Sequence, residues 1–455
     1  MVAIRFGEVL GHVLPGTSAL LAPAPKPFGR RCRPTSRAIP AASQPVPAAA
    51  SQDATAQAIP ARTSQAVPAS ASQAVPAAAS LAVPAAASLA VPAATSQTAV
   101  HVDLPATDEP AHPDPLALAD SALTQAATVD SADIGTVMNP GSRSLSAQAL
   151  LLACRAMIGP LLRYTPITPL TMPVARAAVD TLARLRPEPA GVEREQVQLP
   201  GFRMEIVRPA GARRSLRHGA VLYLHGGGFV ICGLETHRPV VAALARRTGL
   251  PVVSVDYRQL PDARIQDSIE DCLTAYRWLL THGANPKRIV IAGDSAGGFL
   301  SFAVALRAVA DGLPTPAGLV GLSPLLDLDH VAKQSYVNVA RDAYIPLPGL
   351  QRIVHYGAEL DGLVDPALSP VNGPLAGLPP VLMIVGEDEL LRYDCELMAR
   401  RLTAAGVPNT LELWRGQVHA FTSILPGMPE SRAALGRVAR FVRGRIDEQP
   451  AARSA

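Results

Sequence analysis

The chain has 455 residues, more than one ordinary domain needs, and 48% of them are hydrophobic, enough for a large core. The formal net charge is only +4, and no basic run is interleaved with aromatics, so a nucleic-acid partner is not expected. Cys32, Cys154, Cys232, Cys272 and Cys395 are scattered, odd in number and without C-x-x-C spacing, which argues against a zinc site or a disulfide framework and for buried free thiols.

The first quarter is low in complexity. Val-Pro recurs at Val67-Pro68, Val75-Pro76, Val83-Pro84 and Val91-Pro92, a period of eight residues that is too short for a solenoid unit. Proline at that spacing breaks helices and removes strand donors. With no aromatics in the repeat to bury, little offsets the entropy of ordering, so residues 1–136 are expected to be a disordered Ala/Pro/Ser-rich extension. Met1 to Ala22 is weakly apolar, but Arg30, Arg31, Arg33 and Arg37 follow it, the reverse of a secretory signal. A cytoplasmic location is favoured, with an N-terminal leader left open.

From Ser142 the composition changes, and a globular domain is expected over 142–448. Leu145 to Tyr164 and Leu170 to Leu185 read as helices, bounded or opened by Pro166, Pro169 and Pro173. The most apolar run, Ala149 to Ile158, is short, contains Arg155 and meets Gly159-Pro160, so no transmembrane segment is expected. Val192 to Leu199 and Arg203 to Arg208 suggest a hairpin around Pro200-Gly201. Strand candidates follow at Ala220–Leu224, Pro251–Val255, Arg288–Ala292, Leu319–Leu322, Pro380–Val385 and Thr410–Trp414. Helical periodicity marks Ile265–Leu280, Phe299–Ala310, Cys395–Ala405 and Ser431–Arg445. Short apolar strands alternating with helices predict an α/β domain with a mostly parallel sheet covered on both faces.

The sharpest local signal is Gly293-Asp294-Ser295-Ala296-Gly297-Gly298, set between an apolar strand and a helix. That is the strand–turn–helix context of a nucleophile elbow, which would project the Ser295 hydroxyl at a helix N-terminus. A second glycine-rich loop, His225-Gly226-Gly227-Gly228, directly follows the Ala220–Leu224 run. Its backbone N–H groups can approach a ligand oxygen, so Gly227, Gly228 and the Ala296 amide are the candidate oxyanion hole. His225 is expected to brace that loop.

A serine hydroxyl needs a base. His419 lies in a short loop after the last strand candidate, whereas His237, His282 and His355 read as surface or packing residues. Asp388, just past Val381–Val385 and between serine and histidine in chain order, is the expected orienting acid, with Glu387 and Glu389 as rivals.

Together these residues resemble the hormone-sensitive-lipase-like, or GDXG, branch of the α/β-hydrolases, over about Gly219 to Phe441 and more weakly back to Ser142. His225–Gly228 matches that family's HGGG motif and Gly293–Gly298 its elbow. Asp256-Tyr257-Arg258, Asp388-Glu389-Leu390 and His419-Ala420-Phe421 match further family stretches. Asp262 stands where the family usually carries glutamate, a departure expected to touch a supporting salt bridge. The resemblance implies an α/β-hydrolase fold with a helical cap from 142–190 and part of 330–365. It implies a serine carboxylesterase acting on short- to medium-chain esters through an acyl-enzyme, with no metal or other cofactor. Its partner would be a small-molecule ester; a homodimer is left open. The alternatives are an acyltransferase or amide deacylase with the same three residues, or a non-catalytic ligand-binding protein on the same fold.

Overall fold

A computed structural model of the chain describes residues 136–139, 143–212 and 215–447. The expected extension up to residue 135, with its eight-residue repeat and Cys32, lies outside them. Within the described residues the strands form one nine-stranded sheet. In chain order they are β1 (Thr136–Asn139), β2 (Val192–Leu199), β3 (Phe202–Pro209), β4 (Ala220–Leu224), β5 (Val252–Asp256), β6 (Ile289–Asp294), β7 (Gly318–Leu322), β8 (Val381–Gly386) and β9 (Asn409–Trp414). Their order across the sheet is β1-β9-β8-β7-β6-β4-β5-β3-β2.

Strands β4, β6, β7 and β8 are buried at every residue, as expected of parallel strands covered on both faces. The hairpin expected at Pro200-Gly201 is β2–β3, the antiparallel edge, closed with Leu199 opposite Phe202. Strand β1 is an addition to the expected elements: Thr136–Asn139 pairs in parallel with Leu411–Trp414, six residues before the anticipated domain start at 142. Four residues with no alternation left no periodic signal to read.

The long helices are α1 (Leu145–Tyr164), α2 (Thr171–Arg184), α3 (Leu234–Thr248), α4 (Ile265–Thr281), α5 (Ala296–Ala310), α6 (Leu347–Gly357), α7 (Arg392–Ala404) and α8 (Pro429–Asp447). Helix α1 runs from Leu145 to Tyr164, the bounds that the sequence predicts. Gly159-Pro160 does not end it, because Cys154–Ile158 forms a π turn in which the Gly159 N–H reaches the Cys154 carbonyl. The extra residue of that turn absorbs the donor that proline lacks. The 20-residue helix is therefore long and apolar enough to cross a membrane by length and composition, although its Ala147, Leu150, Cys154 and Gly159 face is buried against the domain.

Two segments lie beside the carboxyl ends of the parallel strands. Arg176 of α2 donates to the carbonyls of Val230 and Leu260. Gly159 of α1 abuts Ala343 so closely that a Cβ there would come within 2.8 Å of the Ala343 carbonyl oxygen. The segment following β7 is anchored by Lys333, whose Nζ lies 3.0 Å from Asp394 Oδ1 with both side chains fully buried. The Asp394 carboxylate also accepts the N–H groups of Leu326 and Asp327, at 2.8 and 3.0 Å. Cys154, Cys232, Cys272 and Cys395 are free thiols.

Candidate active site

The parallel sheet brings the loops after β4, β6, β7, β8 and β9 to one edge, where ligands of open α/β sheets are bound. The loop after β6 turns directly into α5. Ser295 sits at that turn with φ 52 and ψ −118, a strained left-handed-side conformation for a residue carrying a side chain. Gly293 and Gly297 make the turn feasible: a Cβ on Gly297 would collide with the Leu224 carbonyl, and one on Gly293 with the Gly297 carbonyl. The strain is held by backbone bonds to the next strand loop. Ser295 N–H donates to Leu322 O at 3.0 Å, and Ser295 O accepts from Leu325 N–H at 3.1 Å.

The loop after β4 is a tight turn around Gly227, whose carbonyl accepts the N–H groups of Val230 and Ile231, both at 3.1 Å. Gly227 has φ +117, and an added Cβ would run into the Ile231 carbonyl, so only glycine fits. The Gly227, Gly228 and Ala296 N–H groups donate to no backbone carbonyl among the described residues. His225 does brace this loop: its Nδ1 lies 2.8 Å from Gly226 O, its ring stacks on Tyr257 at 4.2 Å, and Tyr257 Oη donates to His225 O at 2.7 Å. Burial and the neighbouring His237 push the His225 imidazole down to about 4, so it is neutral near pH 7.

The carboxylate at His419 is Glu389, not the expected Asp388. His419 Nδ1 lies 2.8 Å from Glu389 Oε2, with both side chains buried. The reason is the turn after β8. Glu389 N–H closes back on Gly386 O at 3.2 Å, which leaves Asp388 on the outer side of the turn and swings residue 389 inward. Asp388, half-buried, lines a small cleft with Arg155 and Arg341 that Glu389 and His419 also line, but it is Glu389 that bonds the imidazole. Glu387, the other rival, points to Arg415, with 3.4 Å between Oε2 and Nε.

Glu389 is held from several sides. Its Oε1 accepts from Gly386 N–H at 2.5 Å and from Ser323 Oγ at 2.7 Å. Ser323 Oγ in turn accepts from Ala420 N–H at 3.1 Å. One hydroxyl at the end of β7 thus ties the acid loop to the histidine loop. Asn338 Nδ2 donates to the carbonyls of Glu387 and Glu389, both at 2.9 Å, and Asp342 Oδ2 accepts from Leu390 N–H at 2.8 Å. Tyr344 Oη donates to His419 O at 2.7 Å. Burial works against a charged His419, but the hydrogen bond and charge of Glu389, helped by Asp342 and Asp294, outweigh it and hold the imidazole above its ordinary value.

Behind the elbow lies a network that sequence reasoning missed. His237 is not a surface or simple packing residue. It is buried, with Nε2 3.2 Å from Asp294 Oδ2 and Nδ1 2.8 Å from Thr236 Oγ1. Tyr223 Oη donates to Asp294 Oδ1 at 2.7 Å. Burial opposes the Asp294 charge, yet His237 and the Tyr223 hydroxyl keep this carboxyl below its usual range. Among the other histidines read as surface or packing residues, His282 stacks on Trp278 and His355 bonds Glu359. Asp262 does join a salt bridge, to Arg176 at 3.4 Å, but it is largely exposed.

Residues 221–423 match a family model for the α/β hydrolase fold, and the parallel sheet with its serine elbow defines the same class. The chain is similar to the carboxylesterase/phospholipase LipF of Mycobacterium tuberculosis, 35% identical over 308 residues that cover 66% of this chain and 82% of that protein. It is also similar to the esterase LipU of the same organism, 37% identical over 58% of this chain and 91% of that one. A solved esterase of the bacterial hormone-sensitive lipase family superposes with a TM-score of 0.61 at 32% identity, over 67% of this chain and all of that one. The chain belongs to this hormone-sensitive-lipase-like family of α/β-hydrolases.

Proposed function

We propose that this chain hydrolyses carboxylic esters, with Ser295 as nucleophile, His419 as general base and Glu389 as the residue that orients the histidine. The observation that carries the reading is the buried 2.8 Å bond from His419 Nδ1 to Glu389 Oε2, made at the same sheet edge as the strained Ser295. Glu389 fixes the tautomer in which Nδ1 carries the proton, leaving Nε2 with the lone pair needed to take the Ser295 proton. The serine oxygen then attacks the ester carbonyl. The carbonyl oxygen becomes an oxyanion, received by the N–H groups of Gly227, Gly228 and Ala296. Loss of one such donor costs on the order of 3 kcal/mol in related chemistry, so this loop is a large part of the barrier reduction. His419 passes its proton to the leaving alcohol, and water releases the acyl group by the reverse sequence.

Short- to medium-chain acyl esters are the proposed substrates. Support comes from family membership and from a structural relative, EstE5, with a TM-score of 0.61 and 32% identity, whose crystal was soaked with p-nitrophenyl butyrate. The helices of 142–190 and the segment 330–365 are proposed to cap the pocket. The test is pre-steady-state release of p-nitrophenol from p-nitrophenyl acetate and butyrate. The reading requires turnover that Ser295→Ala abolishes. Full turnover in that variant, or none in the wild type over several acyl lengths, would refute it.

A further inference from the structure

Helices α1 and α2 present an unusual surface. Leu145, Leu152, Leu161 and Tyr164 of α1 and the adjoining Leu170 are 83, 68, 64, 80 and 85% exposed, and Val174 of α2 is exposed as well. Scattered apolar residues are ordinary on a protein surface, but a run of large ones along two successive helices marks an interaction face. Charge is segregated on the same stretch. Between residues 143 and 187 there are six arginines and a single carboxylate, Asp180, so this stretch carries more excess positive charge than the +4 of the whole chain. Arg155, Arg163 and Arg184 are exposed.

We propose that α1 and α2 form a docking face for an anionic lipid surface. Exposed leucines and a tyrosine flanked by arginines match the interface of such a surface, where apolar side chains enter the acyl boundary and cations meet the headgroups. The helix lies on the lipid rather than through it. Ala147, Leu150, Cys154 and Gly159 are buried against the domain, and the Gly159 contact with Ala343 pins that side. A second copy of the chain fits less well, because a two-fold pairing would oppose two arginine-rich faces. The face also has a useful position. Helix α1 packs on Ala343, next to the Tyr344 that bonds the His419 carbonyl. Docking would thus hold the site's edge close to ester groups in a lipid layer. The binding claim itself does not depend on the catalytic assignment.

The experiment is flotation of the full chain with vesicles of phosphatidylcholine alone and of phosphatidylcholine with phosphatidylglycerol. The wild type is expected to float with the anionic vesicles at least tenfold more tightly than with the neutral ones, and to be released by added salt. The double variant Leu152→Glu/Leu161→Glu is expected to bind at least tenfold more weakly while keeping the circular dichroism spectrum and thermal unfolding midpoint of the wild type. Arg163→Gln/Arg184→Gln is expected to lose affinity for the anionic vesicles and little for the neutral ones. Wild-type protein that stays behind with both vesicle types overturns the proposal. So does a double glutamate variant that floats like the wild type, which would place the lipid contact elsewhere. Concentration-dependent dimerisation abolished by the same variant, with no vesicle binding, would assign the face to a second copy and overturn it too.

Discussion

His419 Nδ1 and Glu389 Oε2 are 2.8 Å apart in a buried pair, and the other Glu389 oxygen is tied to the Gly386 N–H and the Ser323 hydroxyl. The carboxylate therefore cannot swing away without breaking two further bonds. Such an arrangement fixes an imidazole ring far better than a solvated ion pair would.

Glu389→Gln should lower kcat for p-nitrophenyl butyrate by about three to four orders of magnitude, the scale seen when an orienting carboxylate becomes an amide elsewhere. Asp388→Asn should change it by less than about threefold, within the range of a surface substitution. Steady-state kinetics of the two variants side by side reads both numbers. Equal losses, or a larger loss at Asp388, would restore the aspartate to the role.

The pH dependence has a definite sign. Glu389 holds the His419 value above the ordinary histidine value, and the base works only when neutral. The acid limb of kcat/KM should accordingly fall at a pH above about 6.5, the ordinary histidine value. In Glu389→Gln the favourable charge is gone while the burial remains, so the residual activity should titrate at lower pH. A limb that stays in place would mean that Glu389 does not set the histidine's affinity for protons.

The glycine loop gives a third prediction. Gly227 has φ +117, and a Cβ there meets the Ile231 carbonyl, so Gly227→Ala must displace the loop. We expect kcat to drop about a hundredfold or more, the cost of misplacing an oxyanion donor, with KM changed far less. Kinetics together with a circular dichroism spectrum like that of the wild type would separate this from misfolding.

The network behind the elbow should matter for stability. His237→Ala removes a buried partner of Asp294 and leaves that carboxylate with Tyr223 alone. A loss of about 3 kcal/mol is expected in urea unfolding at neutral pH. Asp294 is held below its usual range, so the stability it contributes is present above about pH 4, the ordinary aspartate value. It disappears as pH falls through the lower folded value, so the difference between wild type and variant should narrow in acid.

Most of the fold was legible because its strands are short apolar runs separated by amphipathic helices, and the elbow and the glycine loop carry their geometry in their glycines. What was not legible depended on side-chain direction. Asp388 and Glu389 are adjacent, and only the turn closed by Glu389 N–H on Gly386 O decides which one points inward. Ser323 offered a weak signal, a hydroxyl just past β7 at the functional edge. Asn338 and Asp342 offered none, since they reach the acid loop from an irregular segment. His237 was hidden because a histidine on a helix says nothing about the carboxylate it meets from another strand.

The most direct test is to incubate the protein with phenylmethylsulfonyl fluoride and map the adduct by mass spectrometry while following ester hydrolysis. The account predicts one sulfonyl group, on Ser295, formed in step with loss of activity, and formed far more slowly in Glu389→Gln. Modification of a different residue in step with inactivation, or full hydrolysis with Ser295 blocked, would contradict it.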